Sequence, residues 1–136
     1  MRKLAGIVAL GLSMIVFVGC AKENKISTIY KDGVYEASGD EWEYGSEQAS
    51  ITIENDKIKN IALKRLDANG NEVDYNMWTG KEVDGMIFPN LKEYRISMKD
   101  EMIEKQTYEV DSITGATVTT NNWKIAVQRA LKEAKN

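Results

Sequence analysis

Residues 48–66, QASITIENDKIKNIALKRL, read as two strands joined by a tight turn. In residues 48–54 the apolar side chains of Ala49, Ile51 and Ile53 alternate with polar ones, which is the pattern of a half-buried antiparallel strand. Asn55-Asp56-Lys57 carries turn residues, and residues 57–67 continue as a second strand with apolar side chains on one face. This stretch therefore predicts a sheet with one face against a core.

The segments on either side extend the sheet. On the N-terminal side, residues 30–39 (YKDGVYEASG) hold a turn signal followed by a strand, and the acidic, glycine-bounded residues 39–47 read as a loop. On the C-terminal side, Asn69-Gly70 is a strong hairpin signal. We expect an antiparallel meander of three or four strands.

Two helices are predicted after the sheet. Asn90 and Glu93 resemble a capping box, and apolar residues at helical spacing extend that helix over residues 90–105. The second helix starts near Thr120 and has the clearest amphipathic pattern in the chain, formed by Trp123, Ala126, Val127, Ala130, Leu131 and Ala134. Residues 74–88 lack a clear period and are read as a loop or short strand, and residues 107–110 (TYEV) as a short strand. The fold class is α+β: an antiparallel β-sheet meander with two packed helices in a single domain.

The N-terminus is expected to be a lipoprotein signal peptide over residues 1–19. A basic start is followed by an uncharged run, Leu4 to Gly19, which is shorter than the roughly 20 residues of a spanning helix. The run ends at Cys20 and resembles a bacterial lipobox, with Phe17 where leucine is usual. The alternative is a buried free thiol at the end of a membrane anchor. We expect lipid on Cys20, a polar linker over residues 20–30 and the domain over residues 31–136, which places the protein on the extracytoplasmic face of the cell membrane.

Composition excludes several function classes. The 136 residues contain no histidine and one cysteine, so catalytic Ser-His-Asp and Cys-His sites, His-ligated metals and intramolecular disulfides are ruled out. The formal net charge is −3, and it becomes more negative if Arg2 and Lys3 leave with the signal peptide. This balance argues against nucleic acid as a partner, because phosphate binding needs clustered lysine and arginine. We expect no resident metal ion.

Residues 112–122 (SITGATVTTNN) raise the question of function. They lie just before the predicted C-terminal helix, whose first backbone N–H groups and partial positive charge can hold a phosphate or another anion. On the residues alone, Thr119 or Thr120 caps the helix and the rest is a polar turn. The competing interpretation is that Gly115 and Ala116 keep an approach open to the Thr117 hydroxyl.

A family resemblance favours the second interpretation. Residues 111–117 (DSITGAT) resemble the flavinylation motif of the FMN-binding domain family: Asp, two variable residues, Ser or Thr, Gly, Ala, and an acceptor Thr or Ser. That family includes subunits of sodium-translocating NADH:quinone reductase and of the related Rnf complex, and small extracellular lipoproteins of Gram-positive bacteria. The order and spacing of residues 30–39, 49–63 and 110–134 are also similar to the family's, and residues 66–78 and 88–106 are similar to the lipoprotein branch.

The resemblance implies a site and a role. Thr117 is similar to the residue that takes FMN through a phosphoester bond, made from FAD by a flavin transferase with magnesium. Asp111, Thr114, Gly115 and Ala116 match the recognition residues around it. Asp111 helping to hold magnesium during attachment is a further implication of the resemblance alone.

The flavin ring needs a flat apolar surface, and the favoured candidates are Trp78 and its neighbours Tyr75 and Met77, with Trp42 and Tyr44 as second choices. Trp78 as an ordinary core residue is the alternative. We expect an electron carrier that takes electrons from a membrane quinol or flavoprotein oxidoreductase, and whether it is an enzyme in its own right is left open. Two rivals remain: an FMN-bearing subunit of a larger membrane oxidoreductase complex, and a ligand-binding or adhesin-type lipoprotein that keeps the fold without flavin.

Overall fold

A computed structural model describes residues 28–136 of the chain. The three-stranded antiparallel sheet has the order β1-β2-β3, with β1 at Gly33–Ser38, β2 at Ser46–Glu54 and β3 at Lys57–Leu66. Asn55 and Asp56, which join β2 to β3, both have positive φ (52° and 64°), so the turn follows the twist of the strands. The α+β fold class and the predicted hairpin are confirmed.

The two helices cover one face of the sheet. Helix α1 (Leu91–Lys105) packs against β3, and helix α2 (Thr117–Ala134) packs against β1 and β2. Asn90 caps α1 by accepting a hydrogen bond from the Glu93 backbone N–H at 3.2 Å, as the sequence pattern predicts. None of the helices in residues 28–136 is long and apolar enough to cross a membrane.

The core lies between the sheet and the helices. All six apolar positions predicted for the C-terminal helix are buried, and Trp123, the largest, is fully inaccessible and donates its indole N–H to the Lys64 carbonyl at 2.9 Å. The strands contribute the side chains of Ala49, Ile51, Ile53, Ile58, Ile61 and Leu63. Trp123 is therefore the core anchor that its spacing predicts.

One segment differs from the prediction, and another is resolved between its two alternatives. Residues 107–110, expected to be a strand, form an irregular connection between the helices, and Val110 alone of the four is buried. Residues 74–88 contain a 3-10 turn at Tyr75–Met77 and a small hairpin of β4 (Glu82–Val83) and β5 (Met86–Ile87), separate from the main sheet. The main sheet thus has three strands, within the three or four expected.

The two ends of the described chain lie together. Tyr30 forms an antiparallel bridge with Lys135, and the Asn136 backbone N–H donates to the Ile29 carbonyl at 3.0 Å. These contacts lie at the C-terminal end of α2. The domain therefore begins at the opposite end of α2 from Thr117.

Candidate cofactor-binding site

The turn before α2 leaves the helix uncapped. The helix begins at Thr117, and its N-cap residue is Ala116, which makes no side-chain capping bond. The predicted start near Thr120, with Thr119 or Thr120 as cap, is therefore wrong. Within residues 28–136, no hydrogen-bond acceptor is found for the backbone N–H groups of Thr117, Val118 and Thr119. These groups are free to bind an anion.

Thr120 has a different role from the one predicted. Its side chain is buried, and Oγ1 accepts from the Ile113 backbone N–H at 3.0 Å and donates to the Ala116 carbonyl at 2.8 Å. The hydroxyl thus closes the loop onto the first turn of α2. The Thr120 side chain thereby gives the Ile113 backbone N–H an acceptor that secondary structure does not provide in this loop.

Gly115 and Thr117 form one edge of the site. Gly115 has φ +92°, a backbone conformation that other residues rarely adopt, while a Cβ added there would meet nothing within 4 Å. Glycine is therefore needed for the shape of the turn and not, as expected from the sequence, for the space beside it. The Thr117 side chain is exposed at this edge.

A cleft of about 630 Å³ opens beside Thr117, which we call the aromatic cleft. Its lining is mostly apolar and comes from the loop before β2, the segment around the β4–β5 hairpin, the end of β3 and the start of α2. The lining residues are Trp42, Tyr44, Arg65, Asp67, Val73, Trp78, Met86, Ile87, Phe88, Pro89 and Gly115 to Thr119. A volume of roughly 300–1,000 Å³ with apolar walls is typical of small-molecule and cofactor sites.

The walls of the aromatic cleft are held by aromatic pairs. Trp78 packs on Phe88 with 4.8 Å between ring centroids, and Trp42 meets Tyr44 edge to face at 5.3 Å. Trp78 is thus a cleft residue, and so are Trp42 and Tyr44, the second choices made from the sequence. These rings give the cleft flat apolar surfaces on two sides.

Glu47 and Arg65 form a buried ion pair below the aromatic cleft. They are directly opposite each other on β2 and β3, and Arg65 Nε lies 3.4 Å from Glu47 Oε2. Glu47 is inaccessible and Arg65 is 3% exposed. Burial lowers the pKa of the Arg65 guanidinium, while the negative charges of Glu47 and Asp67 act in the opposite direction.

Three further donors satisfy the Glu47 carboxylate. It accepts from Thr119 Oγ1 at 3.0 Å, from Asn122 Nδ2 at 2.8 Å and from Trp42 Nε1 at 3.3 Å. One carboxylate therefore joins the first turn of α2 to the loop that carries Trp42. This network fixes the relative position of two edges of the cleft.

Sequence reasoning missed both members of this pair. Residues 39–47 were expected to be a loop, but β2 begins at Ser46, and Glu47 continues the inward-facing series of Ala49, Ile51 and Ile53. Arg65 likewise extends the inward series of Ile61 and Leu63. A charged residue in phase with a buried face at the end of each strand is the signal that could have found them.

The remaining predicted residues lie outside the aromatic cleft. Asp111 and Thr114 are exposed and do not line it, although they are within six residues of Thr117 along the chain. Met77 is also exposed and outside it. Cys20 and the predicted signal peptide fall outside the described residues.

Tyr75 does not lie with Trp78 in the cleft, contrary to the prediction. Its hydroxyl accepts from the Arg65 backbone N–H at 3.0 Å and donates to Glu72 Oε2 at 2.7 Å. Burial, together with the hydrogen bond to Glu72, raises the pKa of Tyr75 to about 12. Tyr75 is therefore a structural support for β3 and lines a separate, polar depression.

The chemistry of the cleft fits a flavin mononucleotide. A phosphate needs N–H donors and a favourable dipole, which the uncapped start of α2 supplies beside Thr117. An isoalloxazine ring needs flat apolar walls, which Trp42 and Trp78 supply. Both requirements are met by residues that line one cleft.

Comparison with known proteins agrees with this fit. The family model of the FMN-binding domain matches residues 11–132. No curated protein matches the chain significantly. Among solved structures, the crystal structure of the CPE2226 protein from Clostridium perfringens is similar, with 27% identity, a TM-score of 0.61, and coverage of 78% of this chain and 89% of that one.

A solution NMR structure of a Clostridium thermocellum protein is also similar, at 21% identity, with a TM-score of 0.54 and coverage of 78% of this chain and 93% of that one, which supports the fold. The family model spans most of the chain, including the whole of the aromatic cleft. The chain is a flavin-binding protein that belongs to the FMN-binding domain family.

Proposed function

We propose that this protein carries FMN covalently, through a phosphoester bond to Thr117, and serves as an electron carrier. One observation supports this most directly: the exposed Thr117 lies both at an uncapped helix N-terminus and on the lining of the aromatic cleft. A phosphate bound to Thr117 would meet the free N–H groups of the first turn. The attached ring would have the cleft within reach.

The attachment reaction uses FAD as donor. The Thr117 oxygen forms a bond to the flavin-side phosphorus, the bond from that phosphorus to the bridging pyrophosphate oxygen breaks, and AMP leaves with the proton of the hydroxyl released to the medium. A flavin transferase with magnesium would supply the catalysis. Residues 28–136 contain no histidine or cysteine, and the proposed attachment reaction assigns no role to either.

The exposed residues of the motif fit recognition by that transferase. Asp111, Thr114 and Gly115 are all accessible, and Asp111 and Thr114 do not line the cleft. An enzyme that modifies Thr117 must bind the loop from outside. Exposure of these residues therefore favours contacts with the transferase over contacts with the flavin ring.

FMN supplies the redox chemistry, and the residues of the chain bind and orient it. Trp42 and Trp78 offer their faces to a ring, and Met86 and Ile87 of the small hairpin extend the apolar wall. The buried Glu47–Arg65 pair holds the wall and the helix start in one arrangement. Covalent attachment would keep the cofactor from diffusing away outside the cell.

The cellular role that we propose rests on the N-terminal sequence. Lipid on Cys20 would hold the domain at the extracytoplasmic face of the membrane, where it would take electrons from a membrane quinol or flavoprotein oxidoreductase. The electrons would go to an extracellular acceptor or a partner reductase. The polar run before Tyr30 suits a tether.

Intact mass tests the attachment. The mature domain is expressed with and without an active flavin transferase, and the expected product with the enzyme gains the mass of FMN less one water. Thr117→Ala must abolish the gain, whereas the matched Thr117→Ser must keep it, because serine also offers a hydroxyl. An unmodified wild-type domain in the presence of a transferase that modifies a known substrate would refute the proposal.

A further inference from the structure

We infer that Arg65 sets the reduction potential of the bound flavin, by placing a buried positive charge at the floor of the aromatic cleft. The inference rests on the proposed function. Arg65 lines the cleft, while its counter-ion Glu47 does not. A ring in the cleft would therefore meet the cation, with the carboxylate behind it.

The position of the Arg65 guanidinium is defined by two indole rings. Its central carbon lies 5.2 Å from the ring centroid of Trp42 and 5.8 Å from that of Trp78, within the range of cation–π contact. These are the two tryptophans that line the cleft. The guanidinium therefore lies against both tryptophans that line the cleft, and it also lines the cleft itself.

Hydrogen bonds to the main chain prevent the guanidinium from moving away. Nη2 donates to the Tyr44 carbonyl at 2.8 Å, and Nη1 donates to the Leu66 carbonyl. The Arg65 backbone N–H is held in turn by the Tyr75 hydroxyl. A cation fixed before the ligand arrives exerts its field without a reorganisation cost.

Two charged side chains, Arg65 and Asp67, line the cleft, and Glu47 lies behind Arg65. Asp67 is the acid that lines the cleft, and its Oδ1 already accepts from the Asn69 and Asn71 backbone N–H groups. The start of α2 adds the positive end of a helix dipole on the same lining. With 3% exposure, Arg65 is little screened by water, and the buried Glu47 behind it offsets part of its charge.

This field acts on one redox state more than on the other. Uptake of two electrons and one proton leaves a flavin with one net negative charge, and the electrons come from the donor already proposed. A positive charge beside the ring stabilises that form relative to the neutral oxidised form. Arg65 therefore raises the potential, and Glu47, which offsets its charge, lowers it.

Potentiometric titration of the flavin-loaded domain tests the inference with variants of opposite sign. Arg65→Gln should shift the ratio of reduced to oxidised flavin at fixed potential by at least tenfold toward oxidised, which is about 30 mV for a two-electron couple. Glu47→Gln should shift the ratio toward reduced, and Arg65→Lys should stay within about threefold of wild type, since it keeps the charge. The matched control Arg129→Gln removes an exposed arginine of α2 that does not line the cleft and should change nothing.

A second measurement does not depend on covalent attachment. The unmodified domain is titrated under anaerobic conditions with oxidised and with reduced riboflavin, which has no phosphate. Wild type should bind the reduced form relatively more tightly than Arg65→Gln does, by the same tenfold or more. Two variants of opposite sign keep the test decisive if one of them does not fold, as judged by circular dichroism.

The outcomes separate the two proposals. The role of Arg65 would be overturned if the ratio of reduced to oxidised flavin at fixed potential agreed within threefold among wild type, Arg65→Gln and Glu47→Gln. The flavin carrier would remain intact. A domain that never gains flavin mass would overturn the covalent carrier, and the riboflavin ratio would still measure Arg65. Equal shifts in Arg65→Gln and Arg129→Gln would show a general charge effect and would also overturn the inference.

Discussion

Glu47 and Arg65 are paired across β2 and β3, and the pair connects the sheet to the start of α2. The Glu47 carboxylate accepts hydrogen bonds from Thr119 and Asn122 of α2 and lies 3.4 Å from Arg65 Nε. A buried ion pair costs desolvation energy, and its loss on one side leaves the partner charge uncompensated. Stability and the shape of the aromatic cleft therefore depend on the same pair.

Removal of the Glu47 carboxylate should destabilise the domain severely. Glu47→Ala leaves the Arg65 charge and three donors unsatisfied, and we expect it to cost about 3–5 kcal/mol in the free energy of unfolding. Glu54→Ala, at the exposed end of the same strand, should stay within about 0.5 kcal/mol of wild type. Urea denaturation followed by tryptophan fluorescence measures both, and similar losses in the two variants would contradict the assigned role.

Loss of the Thr120 hydroxyl should loosen the loop before α2. Thr120→Val keeps the shape but leaves the Ile113 N–H and the Ala116 carbonyl without this partner, at a cost of about 1–3 kcal/mol. Thr114→Val, at an exposed position of the same loop, is the matched control and should be near neutral. Thermal unfolding compares them, and a Thr114 variant as unstable as the Thr120 variant would rule out this explanation.

A side chain at Gly115 should strain the backbone without a steric clash. Since a Cβ there meets nothing within 4 Å, Gly115→Ala should cost only the penalty for positive φ, about 1–2 kcal/mol. Gly115→Asn should cost less, because asparagine tolerates this region better. The two unfolding midpoints are compared with wild type, and an Asn variant less stable than the Ala variant would be inconsistent with a purely conformational penalty.

Tyr75 should make stability fall in alkaline solution. The pKa of Tyr75 is raised from 10.0 to about 12 in the folded state, so the folded domain holds the phenol proton more tightly than the unfolded chain does. The resulting stabilisation is full below pH 10 and is lost as the pH rises from about 10 to about 12. Urea midpoints of wild type and Tyr75→Phe, measured across this range, should therefore converge as the pH rises.

An absorbance titration at the tyrosinate band gives an independent check on the same group. The wild-type domain should show one phenol that loses its proton near pH 12, and this step should be missing from the titration of Tyr75→Phe. A constant difference between the two urea midpoints from pH 8 to pH 12 would show that Tyr75 does not titrate as stated.

Periodicity predicted the parts of the fold that bury apolar side chains at regular spacing. The β2–β3 hairpin and the inner face of α2 are such parts, because one strand face and one helix stripe must both be removed from water. Trp123 was identifiable as a core residue for the same reason. The capped start of α1 was visible because Asn90 and Glu93 act within one turn.

The start of α2 could not be derived in the same way. Four threonines lie at its N-terminus, and each can cap a helix, but Thr120 bonds instead to the loop behind it and leaves Ala116 at the cap position. That choice depends on where Ile113 is placed by the rest of the fold. Local propensity contains no information about such a contact.

The candidate site was predictable only in part. The motif around Thr117 and the nearby Trp78 could be picked out along the chain, but the cleft brings together residues as far apart as Trp42 and Thr119. Arg65 and Glu47 were not singled out, because a sequence does not show which strand end is covered by a helix. Tyr75 was expected beside Trp78, but its hydroxyl bonds to the Arg65 backbone N–H and to Glu72, contacts that its position in the sequence does not show.

The bridge between Tyr30 and Lys135 places the start of the described domain at the opposite end of α2 from Thr117. Helix α2 has 18 residues, which at 1.5 Å per residue separates its two ends by about 27 Å. If the chain is lipid-anchored at Cys20, as we propose, the anchor would join the domain at the end of α2 that is farther from Thr117. For a protein anchored in this way, electron exchange with a partner in the bilayer would require one of two things. Either the partner projects outward, or the domain reorients on its N-terminal linker.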